Sequence, residues 1–151
     1  MPAAGAMGTV ALDITTYMDM VIRGRSPSNA PSKLVETIAE KIHLPLLSQG
    51  VGSQDQAVQN RESALGALLG YVSGLGTGFI YGMLRSQFDE IPIPLAGTLV
   101  GLTAMAASDV PLVTLRVSNP KTWGISGWLA DLIPHLVYGI VTVATYEALS
   151  K

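Results

Sequence analysis

Asp131 and His135 stand four residues apart, a spacing that on a helix puts a carboxylate and an imidazole on one face and within reach of each other. Such a pair can exchange protons near neutral pH, and Tyr138, Thr142 and Tyr146 carry the polar stripe further along the same face. Three more acids, Asp13, Asp19 and Asp109, lie in or beside apolar segments. Asp19, Asp109 and Asp131 fall at a common depth, and Asp13 sits deeper with Thr9 and Thr16 on its face. Ionisable groups inside a membrane mark proton or ion routes when they face a bundle interior, so Asp13, Asp19, Asp109, Asp131, His135 and Tyr138 form a candidate polar pathway. A structural reading stands beside it. Asp109 would cap a helix end, Asp131 would answer the first-turn dipole of its helix, and Asp19 would pair with Arg23 one turn on.

Other chemistries are poorly represented. Ser118-Asn119-Pro120-Lys121 spells S-x-x-K without the companion motifs of that nucleophile class, and Asn119-Pro120 reads as a turn. Gly124, Ser126 and Gly127 miss the spacing of a nucleophile elbow. Gly74, Gly76 and Gly78 suggest a dinucleotide loop, but Phe79 stands where the third glycine belongs and no strand precedes it. There is no cysteine, and the two histidines are His43 and His135; no catalytic set, metal site, haem or other cofactor is expected. A net charge of −2 gives no basic footprint for nucleic acid.

The elements that must position these residues follow from composition. Only 13% of the 151 residues are charged, 48% are apolar, 16 are glycine and the mean hydropathy is +0.40, whereas soluble domains carry about 25% charge. The sequence predicts an all-α bundle of four transmembrane helices over residues 3–22, 63–84, 92–110 and 126–148, as one domain. Pro92 and Pro94 suit a first helical turn, and Asp109 with Pro111 either ends the third span or kinks it toward Val117. The first segment lacks the basic leader of a secretory signal. Residues 23–62 form a cytoplasmic loop with one short amphipathic helix: Leu34, Val35, Ile38 and Ile42 share one face, Lys33, Glu36, Glu40 and Lys41 the other. That helix would lie on the membrane surface or dock on the bundle or a partner. Ser53 and Gln56 make a capping box, so the second long helix would begin near Gln54, before entering lipid.

Basic residues set the orientation. Arg23, Arg25, Lys33, Lys41, Arg61, Arg116 and Lys121 fall on one side of this topology and Arg85 and Lys151 on the other, which puts both loops in the cytoplasm and both termini outside a bacterial inner membrane. Trp123 and Trp128 then lie at the inner interface, Tyr81 and Tyr146 at the outer.

Gly66, Gly70, Gly74, Gly78 and Gly82 recur every fourth residue along the second span. Each glycine costs about 1 kcal/mol of helix propensity relative to alanine, so five in register must be compensated by close packing. Gly97 and Gly101, followed by Ala104 and Ser108, offer a matching small-residue face in the third span. The ladder packs within its own bundle or forms a homo-oligomer seam.

Gly24-Arg25-Ser26-Pro27-Ser28, Ala104-Met105-Ala106-Ala107-Ser108-Asp109, Asn119-Pro120-Lys121-Thr122-Trp123 and Pro134-His135-Leu136-Val137-Tyr138-Gly139 resemble segments of small bacterial integral-membrane proteins. More remotely, the Arg-Ser-Pro after the first span and the His-Leu-Val near the end are similar to YagU-like inner-membrane proteins, a group linked to acid tolerance. The resemblance implies an inner-membrane helical protein and carries no catalytic residues. Taken together, the residues suggest a small non-enzymatic membrane protein acting as an accessory or assembly subunit, whose partners are the lipid bilayer and either a second copy or a membrane complex. A proton-linked channel or transporter is the second reading, an intramembrane enzyme the third.

Overall fold

A computed structural model describes residues 1–44, 56–87 and 91–150. Among them are five α-helices and no strand: α1 (Pro2–Arg23), α2 (Ala30–Lys41), α3 (Gln56–Leu84), α4 (Ile93–Thr114) and α5 (Gly124–Leu149), with short 3-10 turns at Arg85–Gln87 and Pro120–Thr122. Pro2 occupies the first turn of α1, where a missing N–H costs nothing, and Gly24 ends the helix in the left-handed conformation at φ 62°. The capping serine expected at Ser53 lies outside the described residues. α4 does not stop at Asp109 but runs through Pro111 to Thr114. α5 starts at Gly124 and continues through Pro134.

Helix α5 is central. α1 runs antiparallel to it, with Gly8 against Tyr138 and Thr142 and with the Arg23 guanidinium at Ser126. α3 runs parallel to it, Gly74, Gly78 and Gly82 meeting Tyr138, Thr142 and Tyr146 in turn. α4 is antiparallel, Gly97 lying on Ile140 and Gly101 on Leu136. The four long helices therefore alternate in direction. Met1, Gly82, Arg85 and Tyr146 share one end of the bundle, and Arg23, Arg116 and Ser126 the other.

Inside and outside are reversed relative to a water-soluble bundle. α1 buries Ala4, Gly5, Gly8 and Thr9 and turns Met7, Val10, Ile14, Met18 and Val21 outward, with Val21 83% and Ile22 77% exposed. Exposed apolar surface of this extent is untenable in water and suits lipid, where small residues belong at helix seams. Three helices, α3, α4 and α5, are long and apolar enough to cross a membrane. α1 has the length but carries Asp13, Asp19 and Arg23.

α3, at 29 residues, is longer than the roughly 20 that a hydrocarbon layer needs. Its first turns hold α2: Val35 and Ala39 are buried together, Val58 of α3 is buried, and Gly66 takes Pro31 and Ser32. α2 thus docks on α3 through a face rotated from the one that hydropathy predicts. The small Ala39 permits close approach, while Ile38 and Ile42 stay 37% and 61% exposed.

Candidate functional site

The cluster that the structure assembles lies between α4 and α5. His135 Nδ1 stands 2.8 Å from the Asp131 carbonyl oxygen and 3.2 Å from Asp131 Oδ1. Both neighbours can only accept, so Nδ1 carries the hydrogen. Pro134 has no N–H to return to the preceding turn, and the imidazole adds a side-chain bond to the carbonyl next along. The Asp109 carboxyl, from α4, lies close enough to Asp131 and His135 for their charges to act on it. Asp131 Oδ2 is buried and has no hydrogen-bond partner among the described residues.

What brings the two helices close enough is a glycine contact. A Cβ on Gly97 would sit 2.7 Å from the Ile140 Cα, and Gly139 faces the backbones of Gly97 and Gly101. This corrects the expectation that Gly97 and Gly101 complement the glycine ladder. They pack on α5, and their counterpart is Gly139, a lone glycine with no periodic signal of its own. The ladder's counterparts lie on α1: Gly5, whose Cβ would be 2.7 Å from the Gly74 oxygen, and Thr9, which fits over Gly74. Ala4, Gly5, Gly8 and Thr9 show the paired small-residue spacing from which this face could have been read. Gly66 seats α2, Gly82 seats Met1 and Tyr146, and Gly70 meets nothing within 4 Å among the described residues.

The other acids stand apart. Asp13 accepts a 3.4 Å hydrogen bond from the Tyr71 hydroxyl at the α1–α3 seam. Asp19 pairs with Arg23 at 2.6 Å and also with Arg25, and Arg23 reaches on to Ser126, which ties the start of the 23–62 loop to α5. Of the three structural readings, only the one for Asp19 describes what is found. Asp109 is internal to α4 and caps nothing, and Asp131 lies almost two turns inside α5, beyond its first-turn dipole. Replacing Asp19 by Asn removes the negative charge that both arginines share and is expected to speed tryptic cleavage after Arg23 and Arg25 several-fold in detergent-purified protein; an unchanged digestion rate would count against the tie.

Tyr138 does not extend the cluster as an open stripe. It is 1% exposed, and its hydroxyl donates to the Gly74 oxygen at 2.6 Å. Tyr146 repeats the contact one register higher, donating to the Gly82 oxygen at 3.3 Å. Thr142 and Val143 are equally enclosed. At the far end Arg85 and Glu147 pair at 2.6 Å, and that carboxylate holds the Arg85 guanidinium above its ordinary pKa. Tyr81 and Tyr146 cross edge to face at 5.3 Å beside them. The sequence-derived pathway residues therefore fall into four groups: Asp109, Asp131 and His135 between α4 and α5, Asp13 at the α1–α3 seam, Asp19 with its arginines, and Tyr138 in the enclosed centre. No protein family, no curated protein and no solved structure matches the chain.

Proposed function

We propose that the chain is a four-span integral protein of a bacterial inner membrane, both ends of the bundle's chain facing outward, that acts without catalysis as an accessory or assembly subunit. The observation carrying this reading is the closed middle of the bundle. Tyr138 and Thr142 fill the level where α1, α3 and α5 meet, and Val143 packs with Ala96 and Val100 of α4, each of the three being at most 1% exposed, so the protein offers surfaces rather than a route. α1 is the fourth span, because its outward face is as apolar as those of the other three and its Asp19 is already neutralised by arginine at the edge. α3 buries only 11% of its apolar window, against 33% for α4 and 28% for α5, and is the helix with most surface to give a partner.

Two measurements test this. The protein should remain in the membrane pellet after alkaline carbonate extraction, and recovery in the supernatant would end the membrane reading. A partner should co-purify in mild detergent, while proteoliposomes of the isolated chain should hold a pH gradient as well as empty ones. The clustering of Asp109, Asp131 and His135 favours a second reading, proton-linked transport. Gradient dissipation that disappears in Asp131→Asn and His135→Ala would install that reading in place of the first.

A further inference from the structure

The end of the bundle that carries Arg23, Arg116 and Ser126 holds most of the basic residues, and a count of charge would assign any anion affinity to the long 23–62 loop. The structure points elsewhere. Arg23 and Arg25 are both engaged by Asp19. Where α2 meets the first turns of α3, the three acids Glu36, Glu40 and Glu62 balance the three cations Lys33, Lys41 and Arg61 in number. The turn between α4 and α5 has no such compensation: from Val110 to Ala130 the only charged residues are Arg116 and Lys121. Both are exposed, and neither enters any ion pair among the described residues.

The same turn is built for an interface. The rings of Trp123 and Trp128 lie 5.0 Å apart, and Trp123 Nε1 donates to Ser118 Oγ at 2.8 Å, which holds the indole across the base of the turn. Ile125, one residue into α5, is 82% exposed. Two uncompensated cations, an anchored indole pair and a bare isoleucine on one turn match the boundary between phosphate headgroups and acyl chains, where cations meet phosphate and amphipathic rings sit at headgroup level.

The geometry points to the α4–α5 turn, through Arg116, Lys121 and the Trp123–Trp128 pair, as a binding surface for anionic phospholipid headgroups. The inference rests on the membrane reading above and can fail separately from it. Trp123 and Trp128 are the only tryptophans in the chain, so intrinsic fluorescence reports this turn alone. The full-length protein is reconstituted in phosphatidylcholine vesicles containing either brominated phosphatidylglycerol or brominated phosphatidylcholine at equal mole fraction. The anionic lipid should quench with a relative binding constant about 25-fold higher, since each of the two cations near an anionic surface is worth about fivefold. Arg116→Gln and Lys121→Gln should each lower the preference by about fivefold, the double variant should quench equally with both lipids, and Arg25→Gln should change nothing. Helical circular dichroism confirms that each variant is folded. Equal quenching of the wild-type protein by the two lipids, or loss of preference in Arg25→Gln instead, would overturn the headgroup site and leave the membrane reading standing. No quenching by either lipid would overturn both.

Discussion

Gly78→Ala is expected to destabilise the bundle by about 1–3 kcal/mol, and Gly78→Leu to separate α1 from α3 altogether. The reason is what a side chain at this position would meet. A Cβ on Gly78 would lie 2.6 Å from the Gly5 backbone nitrogen and closer still to the Gly5 Cα, and the contact is reciprocal, since a Cβ on Gly5 would fall 3.3 Å from the Gly78 Cα. Flexible side chains can rotate away from an intruding methyl group, but two helix backbones can only move apart. In lipid that separation is especially costly, because no hydrophobic drive holds the helices together and the attraction is close-range dispersion with weak C–H···O contacts. Gly70→Ala provides the contrast. Nothing described lies within 4 Å of that position, so an alanine there should raise helix stability by up to about 1 kcal/mol through propensity alone. Both values can be read from circular dichroism during titration of mixed micelles with sodium dodecyl sulfate. Neutral behaviour at Gly78 together with destabilisation at Gly70 would reverse the assignment of the packed and open rungs.

Tyr138→Ala should be the most damaging truncation in α5, at about 3 kcal/mol or more. Its ring is the piece that three helices share. A Cβ on Gly8 of α1 would come within 2.8 Å of Tyr138 Cδ2, and on the α3 side the ring edge lies in van der Waals range of Gly74, 3.6 Å from where a Cβ would stand. Removing the ring leaves a void lined by glycines, which have no side chains to move into it. Tyr138→Phe keeps the ring and deletes only the hydroxyl bond to the Gly74 oxygen. Its cost should be nearer 1 kcal/mol, because the carbonyl retains its intrahelical partner and single hydrogen bonds in membrane bundles are modest. The same titration separates the two. Equal losses for Phe and Ala would mean that the hydroxyl, and not the packed ring, secures the centre.

The composition of the chain, with its sparse charge and long uncharged runs, was enough to specify an all-helical protein with lipid-suited helices, because helix length and side-chain polarity are local properties that a one-dimensional reading sums directly. The four-residue spacing of Asp131 and His135 likewise determined their pairing, since both sit on one helix whose geometry is known in advance. Spacing also showed that Gly66 to Gly82 form a face. It did not show what that face meets. Gly5, Thr9 and Tyr138 are the partners, and Gly97 and Gly101 are turned toward Gly139 instead, because the rotation and register of one helix against another depend on all seams at once.

The acids divide the same way. Arg23 was legible as the partner of Asp19, lying one turn away, whereas the meeting of Asp109 with Asp131 depends on how closely the glycine contact lets α4 approach α5. The net charge of each loop could be counted from the residues alone. Which cations remain uncompensated, Arg116 and Lys121 and not Arg23 and Arg25, was decided only when folding brought the arginines to Asp19 and set α2 against the first turns of α3.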